Sequence, residues 1–270
     1  MKKTLCFLAV LLSLAFAWAQ GVNAEGTPKA ESNKKTAVKK AATPARTVFD
    51  LGHGEIFSPT KEGDLNYTSF YRMADEAGGK AGVNEGPITT KALKGVKTYI
   101  VAGPSMGFTE PEGAALKKFV NGGGNLLVLL HISPPVAALT GQFGIIVSNF
   151  VICEKEGLID GHSQDFNVTR FAEHPVTSGL QKVAVYGTWG LMADQGAIVV
   201  ASTSDQAWMD TDRNRTFTEN EPVEKVGIIA VREAGKGKVV VVADDAPFAN
   251  KFIGEADNTR LAGNILKWFR

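Results

Sequence analysis

The stretches KTYIVAGP (97–104), TEPEGAALKKFVNGGG (109–124) and NLLVLLH (125–131) decide the fold class. The first and third are apolar runs of strand length, and the stretch between them is amphipathic with a helical period. Nearly continuous apolar strands that are joined by a helix are typical of parallel strands covered on both faces. This unit therefore predicts an α/β domain built on a parallel sheet.

Both ends of the helix in this unit carry recognisable signals. Thr109 followed by Glu112 has the spacing of a capping box, in which each residue satisfies a free backbone donor at the helix start. The three glycines at 122–124 follow the helix instead of preceding one. They therefore indicate a helix stop and not a phosphate-binding loop.

Further elements are predicted on both sides of this unit. The stretch 136–182 shows little regular pattern apart from an apolar run at 144–151, whereas the C-terminal third is rich in β-forming residues. Gly235-Lys236-Gly237 has the composition of a hairpin turn. Strands are predicted at 46–51, near 82–83, and at 98–102, 125–130, 198–202, 226–231 and 238–243, with helices at 67–77 and from about 258.

Together these elements predict one α/β domain at 47–270. Its sheet is expected to be mostly parallel and flavodoxin-like, with helices on both faces and a C-terminal antiparallel β addition. This part of the chain carries more acidic than basic side chains, so no nucleic-acid partner is expected.

The N-terminal residues have the pattern of a secretory signal peptide. Lys2 and Lys3 precede an apolar run at 5–19, and Val22-Asn23-Ala24 offers the small residues that a signal peptidase recognises. The run is short for a transmembrane helix, although an uncleaved signal anchor remains the alternative. The sequence therefore predicts a signal peptide at 1–24, a periplasmic or secreted protein, and no transmembrane segment in the mature chain.

Residues 25–46 contain six basic and two acidic residues and almost no apolar side chain larger than alanine. Such a segment cannot bury enough surface to fold, so a disordered basic linker is predicted, with a tether to a polyanion as the alternative. Cleavage after Ala24 leaves Cys153 as the single cysteine, which excludes an intramolecular disulfide. The cysteine is expected to be a small core residue and not a reactive thiol.

The elements IVAGP (100–104), TEPEGAALKKFVNGGGNLLVLL (109–130), FAEHPVTSGL (171–180), GKVVVVADDAPFANKFI (237–253) and DNTRLAGNILKWF (257–269) follow one another in a familiar order. In this order the chain resembles one branch of the class I glutamine-amidotransferase-like superfamily. That branch includes GldG-like domains, the N-terminal domain of intraflagellar transport proteins, and bacterial domains of unknown function.

The resemblance implies a non-catalytic domain. An amidotransferase of this superfamily would present a nucleophilic cysteine on a tight elbow after the second strand, where this chain has His131-Ile132-Ser133. The His-x-Glu pair of the superfamily is also absent near the C-terminus. The resemblance therefore implies a binding or scaffold domain for an unknown small-molecule or protein ligand, and the predicted signal peptide makes this an exported domain. Whether the protein is an enzyme stays open, and the missing catalytic residues argue against one.

The loops after the predicted parallel strands carry polar side chains that form a candidate crevice. Ligands of open parallel sheets meet the loops at the carboxyl ends of the strands. Two imidazoles and three carboxylates there suit ligand binding, or alternatively a metal-assisted or acid–base hydrolase. Turn formation alone is a further alternative, as is a purely structural protein tethered by its linker. The candidate residues are His53, Glu55, Ser105, His131, Asp244 and Asp245.

Residues 210–221 have the spacing of a calcium-binding loop. Oxygen-bearing side chains occupy loop positions 1, 3, 5, 9 and 12, and a backbone carbonyl is available at position 7. Arg215 replaces the glycine expected at position 6, and no flanking helix is predicted, so an ordinary acidic surface loop is the alternative. Calcium is the one cofactor that the sequence suggests. Its predicted ligands are Asp210, Asp212, Asn214, Thr216, Thr218 and Glu221.

Overall fold

The structure is a computed structural model that describes residues 46–78 and 80–270. The predicted signal peptide and all but the last residue of the predicted linker lie outside the described residues. The strands are β1 Thr47–Asp50, β2 Ala81–Asn84, β3 Thr98–Ala102, β4 Asn125–Leu129, β5 Ile145–Cys153, β6 Leu158–Ile159, β7 His162–Val168, β8 Arg170–Phe171, β9 Val183–Tyr186, β10 Trp189–Ala193, β11 Ile198–Ser202, β12 Trp208–Asp210, β13 Gly227–Ala234 and β14 Gly237–Val242, and the α-helices are α1 Thr68–Gly78, α2 Glu110–Asn121, α3 Ala137–Gly141 and α4 Asn258–Trp268.

One half of the large sheet is parallel, with the order β2-β1-β3-β4-β14. The register places Val48 beside Tyr99, Tyr99 beside Leu126, and Leu126 beside Val239. These four side chains belong to one core cluster, because residues in register across a sheet point to the same face. The predicted strand–helix–strand unit is confirmed as β3, α2 and β4.

The other half of the sheet is antiparallel, so the prediction of a mostly parallel sheet is wrong. β14 pairs antiparallel with β13 through the turn at Gly235, whose φ is +61°, and the predicted hairpin is thereby confirmed. Beyond β13 the order continues through β10, β5 and β12, and β11 also pairs with β13. The fold is a mixed α/β arrangement with a large mixed sheet. The apolar run at 144–151 belongs to strand β5, which was not predicted as a strand because its buried and exposed residues do not alternate cleanly.

Helices cover both faces of the large sheet. α1 and α4 pack on one face, where Phe70, Leu261 and Ile265 are buried in one core cluster. α2 and α3 pack on the other face, where Leu116 and Leu139 belong to a second cluster. On α2 and α4 the apolar residues that recur with a helical period are buried, so these two predicted helices are confirmed.

A small three-stranded sheet, β6-β7-β9, adds to the first core through Phe166 and Val185. Cys153 ends β5 in full burial, and burial raises the pKa of its thiol to about 11. This agrees with the predicted core role, because a thiol that stays protonated is a poor nucleophile. None of the helices in residues 46–78 and 80–270 has the length and apolar composition needed to cross a bilayer.

Candidate functional site

A buried polar cluster lies where β1 ends. Asp50, the last residue of β1, accepts hydrogen bonds from the Tyr99 hydroxyl at 2.7 Å and from His53 Nδ1 at 2.6 Å. The chain turns back after the strand through Gly54, whose φ of +66° suits a residue without a side chain. This turn places His53 below the surface, with 5% of its area exposed. We call Asp50, His53, Glu55, Tyr99 and Glu112 the β1 cluster.

Glu112 joins the β1 cluster to the start of α2. Its carboxylate accepts hydrogen bonds from the Thr109 backbone at 3.0 Å and from the Ile88 backbone at 3.1 Å, and it lies 3.3 Å from His53 Nε2. Burial opposes ionisation of Glu112, but the hydrogen bonds from Thr109, Ile88 and His53 outweigh it and lower the pKa to about 2. The predicted capping box is confirmed, and its glutamate also serves the histidine.

The charges of the β1 cluster make His53 and Glu55 hold protons more tightly than usual. Burial works against a charged imidazole, yet the carboxylates of Asp50 and Glu112 raise the pKa of His53 to about 8. Burial, followed by the negative charge of Asp50 and a hydrogen bond to it, raises the pKa of Glu55 to about 7. Within the described part of the chain, the buried Oε1 of Glu55 meets no donor. Protonation of Glu55 would lower the repulsion between its carboxyl group and that of Asp50.

The β1 cluster also has the spacing of a metal site, but its histidine is occupied. One ligand atom each of Asp50, His53 and Glu55 lies within 4.8 Å of the others. Both ring nitrogens of His53 already face carboxylates, Nδ1 toward Asp50 and Nε2 toward Glu112. A metal ion would have to displace one of these contacts. The arrangement therefore favours a charged histidine that ties the loop after β1 to α2.

A second polar cluster lies where β4 and β14 end. The Tyr67 hydroxyl donates to Asp245 Oδ2 at 2.6 Å, and His131 Nδ1 lies 3.3 Å from Asp245 Oδ1. Gly103 at the end of β3 adopts a φ of +65°, and an added Cβ would lie 2.7 Å from Asp245 Oδ2. The hydrogen bond to Asp245 and the negative charge nearby raise the pKa of His131. We call Tyr67, His131 and Asp245 the β14 cluster.

Asp244 points away from the β14 cluster. Its carboxyl group accepts hydrogen bonds from the backbone of Tyr186 at 2.5 Å and of Ala246 at 2.9 Å. Burial and the charge of Asp245 raise the pKa of Asp244 to about 8. Asp244 thus fixes the connection after β14.

A groove of about 580 Å³ opens beside the β14 cluster. The side chain of His131 is 36% exposed, and the indole of Trp189 donates to the His131 carbonyl at 3.0 Å. The loop after β12 contributes two arginines to the lining of the groove. The polar and aromatic lining residues include His131, Tyr186, Trp189, Asp210, Arg213, Arg215 and Asp244.

The six predicted crevice residues therefore lie in several places instead of one pocket. His53 and Glu55 belong to the β1 cluster, and His131 and Asp245 to the β14 cluster. Ser105 lies between them on an exposed loop and donates to the Gly54 carbonyl at 2.6 Å. Of the six, His131 and Asp244 line the groove. Sequence reasoning missed four residues that complete the two clusters, namely Asp50, Tyr67, Tyr99 and Glu112.

The predicted calcium-binding residues begin with Asp210, the last residue of β12, and continue along the loop that follows it. Carboxylate oxygens of Asp210, Asp212 and Glu221 lie within 4.8 Å of one another. Asp210 and Glu221 are buried and Asp212 is exposed, so the loop has a buried and a solvent-facing side. Asn214 and Thr216 follow in the exposed part, where the Asn214 carbonyl oxygen Oδ1 accepts from the Thr216 backbone at 2.6 Å.

The fold and these sites define a mixed α/β domain with buried polar clusters at its strand ends and an open groove beside them. The chain belongs to the family described as domain of unknown function DUF4350, which matches residues 67–266.

Relatives of this chain include intraflagellar transport proteins. Mouse (Mus musculus) intraflagellar transport protein 52 homolog is 24% identical over 208 residues, which covers 67% of this chain and 46% of the mouse protein. The human (Homo sapiens) homolog is 23% identical over 207 residues, covering 67% of this chain and 45% of that protein. The chain thus spans about half the length of the curated relatives it matches.

Solved structures show the same fold. The mouse IFT52 N-terminal domain superposes with a TM-score of 0.67 at 20% identity, covering 83% of this chain and 96% of that domain. The cytoplasmic protein STM1381 from Salmonella typhimurium LT2 superposes with a TM-score of 0.52 at 13% identity, covering 83% of this chain and 99% of that protein.

The predicted membership of the class I glutamine-amidotransferase-like superfamily is wrong. The family that matches is DUF4350, and neither the intraflagellar transport relatives nor the superposed structures support that superfamily. The misleading signal was the unit from β3 to β4. Its apolar strands and capped helix follow from burial of a parallel sheet, which many α/β folds share.

Proposed function

We propose that this domain is a non-catalytic binding domain whose ligand carries a phosphate or carboxylate group. The ligand would lie in the groove beside the β14 cluster. The observation that carries the proposal is the convergence of Arg213, Arg215 and His131 on this groove. Arginine provides fixed positive charge and forked donors that match both kinds of anion.

The electrostatics of the groove support an anionic ligand. Neither Arg213 nor Arg215 forms an ion pair in the described part of the chain, so both charges are available. The pKa of His131 is raised, and its ring carries a positive charge at pH values below that pKa. Two carboxyl groups, Asp210 and Asp244, also line the groove, and burial together with the charge of Asp245 raises the pKa of Asp244 to about 8.

The lining of the groove favours binding over catalysis. Its described residues include no serine, threonine or cysteine to act as a nucleophile. The strand order β2-β1-β3-β4-β14 is also that of flavodoxin-like sheets, which supports the narrower fold assignment and a ligand at the strand ends. The names of the relatives describe intraflagellar transport and not a chemical reaction.

The two other functions considered from the sequence receive less support. A hydrolase is favoured by one observation, the partly exposed His131 held by Asp245, which is a geometry for proton transfer. A metal-assisted hydrolase would use His53 as a metal ligand, but both ring nitrogens of His53 already face carboxylates. A tethered structural protein depends on the basic linker, which lies outside the described residues.

Anion binding should appear in the NMR spectrum of the full chain. We expect inorganic phosphate, or succinate as a carboxylate probe, to shift the indole N–H resonance of Trp189, because that group lies in the groove wall. The indole of Trp268 on α4 is the internal reference. Replacing both Arg213 and Arg215 by alanine should abolish the shift, and the difference between the two probes identifies the preferred anion.

Arg170→Ala is the matched control, because this exposed arginine pairs with Asp205 away from the groove. It should leave the Trp189 shift unchanged. The proposal fails if neither anion moves the Trp189 resonance, or if the double variant responds as the unaltered protein does.

We further propose that the protein is exported to the periplasm or secreted. The support is the N-terminal sequence, with two lysines, an apolar run and small residues before position 25. We expect cleavage after Ala24. N-terminal sequencing of protein recovered from the exported fraction tests this, and a mature chain that starts at Met1 would contradict it.

A further inference from the structure

We propose that residues 210–221 bind one calcium ion, at a site that adjoins the groove because Asp210 also lines the groove. The carboxylates of Asp210, Asp212 and Glu221 supply ligand atoms within 4.8 Å of one another. Calcium binds oxygen at about 2.3–2.6 Å, so oxygens on opposite sides of one ion lie about 4.6–5.2 Å apart. The three carboxylates are therefore close enough to share one ion.

Asp210 provides the observation that points to a cation and not merely to an acidic loop. The residue is 3% exposed, and its Oδ1 is buried without any hydrogen-bond donor in the described part of the chain. Its other oxygen, Oδ2, accepts from the Arg215 backbone at 3.2 Å. A buried carboxylate oxygen without a partner is unfavourable, and a bound cation satisfies it.

Glu221 holds the two ends of the loop together in a way that suits the last ligand position. Its Oε1 accepts from the Thr211 backbone at 2.8 Å, and its Oε2 accepts from the Thr218 backbone at 3.0 Å. Each carboxylate oxygen has a second lone pair that remains available to a metal ion. The buried glutamate therefore faces the start of the loop, where Asp210 and Asp212 lie.

The backbone resolves the main departure from the calcium-loop pattern. The pattern has glycine at position 6 because the chain turns sharply there, and this sequence has Arg215. Arg215 nevertheless adopts a φ of +63°, and Arg213 two residues before it adopts a φ of +62°. The turn that glycine normally provides is thus present, although its residue type did not predict it.

Several features favour calcium over magnesium. Asn214, Thr216 and Thr218 add hard oxygen atoms to the loop that carries the three carboxylates. Calcium accepts such ligands in variable number and geometry, whereas magnesium requires a near-ideal octahedron. Asp212 and Asn214 are exposed, which leaves part of the coordination sphere to water. We expect weak affinity, with a Kd of about 10⁻⁴–10⁻³ M, as in extracellular calcium modules.

Calorimetry and thermal unfolding of the full chain, first stripped with a chelator, test the site. Calcium should give a saturable binding heat, and at ten times the Kd it should raise Tm by roughly 3–5 °C. Magnesium at the same concentration should give a smaller rise. The Trp208 indole, in the strand that leads into the loop, should report the same titration in the NMR spectrum.

Two variants guard against a simple folding defect. Asp210→Asn keeps the shape of the buried side chain, and Asp212→Asn changes an exposed one; each should weaken calcium binding at least tenfold. Asp205→Asn, an exposed carboxylate outside the loop, should bind like the unaltered protein. The proposal is overturned if calcium gives the unaltered protein neither a binding heat nor a rise in Tm. It is also overturned if either loop variant binds calcium as tightly as the unaltered protein.

These measurements separate the calcium site from the proposed groove ligand. The double replacement of Arg213 and Arg215 keeps every proposed calcium ligand and removes two positive charges from the same loop, so calcium binding should persist or become tighter in it. Loss of phosphate binding together with retained calcium binding is therefore the result expected if both proposals hold.

Discussion

Replacing His53 by alanine should lower the free energy of unfolding by about 3–5 kcal/mol near pH 6, the usual loss when one partner of a buried ion pair is removed. The substitution leaves the carboxylates of Asp50 and Glu112 buried around a cavity without their shared cation. Urea unfolding followed by circular dichroism measures the effect. His162→Ala is the control, because this histidine is exposed at the start of β7, and it should change stability little.

The loss on replacing His53 should depend on pH in a defined direction. The pKa of His53 is raised from 6.5 to about 8 in the folded chain. Its stabilising contribution is therefore fully present below pH 6.5 and disappears as the pH rises through 8. The difference between the two proteins should shrink from pH 6 to pH 9. A difference below about 1 kcal/mol at pH 6, or one that grows with pH, would show that the ring does not act as the cation of the β1 cluster.

Replacing Gly103 by alanine should cost about 2–4 kcal/mol. Its φ of +65° is unfavourable for a residue with a Cβ, and that Cβ would lie 2.7 Å from Asp245 Oδ2. We also expect Asp245 to move away from His131, so that the pKa of His131 falls toward its ordinary value. Urea unfolding gives the stability, and the NMR titration of the His131 ring gives the pKa.

Gly86→Ala is the matched control for Gly103→Ala. This glycine has no heavy atom within 4 Å of an added Cβ and no left-handed φ. It should change stability by less than about 1 kcal/mol and leave the His131 titration unaltered. An equal loss in the two variants would mean that the close approach of Gly103 to the β14 cluster has no energetic importance.

The parts of the fold that sequence predicted are those where burial alone sets the pattern. The apolar runs of β3 and β4 and the spaced apolar residues of α4 each follow from one burial geometry. The antiparallel half depends on pairing between distant segments. β5 pairs with β10 and β12. Neither partner is joined to β5 by a short turn that the sequence would have indicated. The period of a strand does not specify its neighbour.

The sequence predicted that the candidate residues lie at the strand ends, but it did not predict which of them contact one another. Strand order brings His53 and His131 to the same edge of the sheet, but the direction of each side chain depends on local turns. Asp244 and Asp245 are adjacent in sequence and yet face opposite sides, one toward Tyr186 and the other toward His131. Glu112 was predicted only as a helix cap, since its contact with His53 arises from tertiary packing.

The position of β14 has a consequence for how the chain reaches this fold. β14 lies between the parallel and antiparallel halves, where Val242 pairs with both Leu129 of β4 and Ile229 of β13. Until this late segment has been synthesised, β4 and β13 each have an open backbone edge, which is a template for misassembly. We therefore expect the two halves of the sheet to join only after β14 has been made, so that a chain cut before Gly237 would expose the backbone edge of β4.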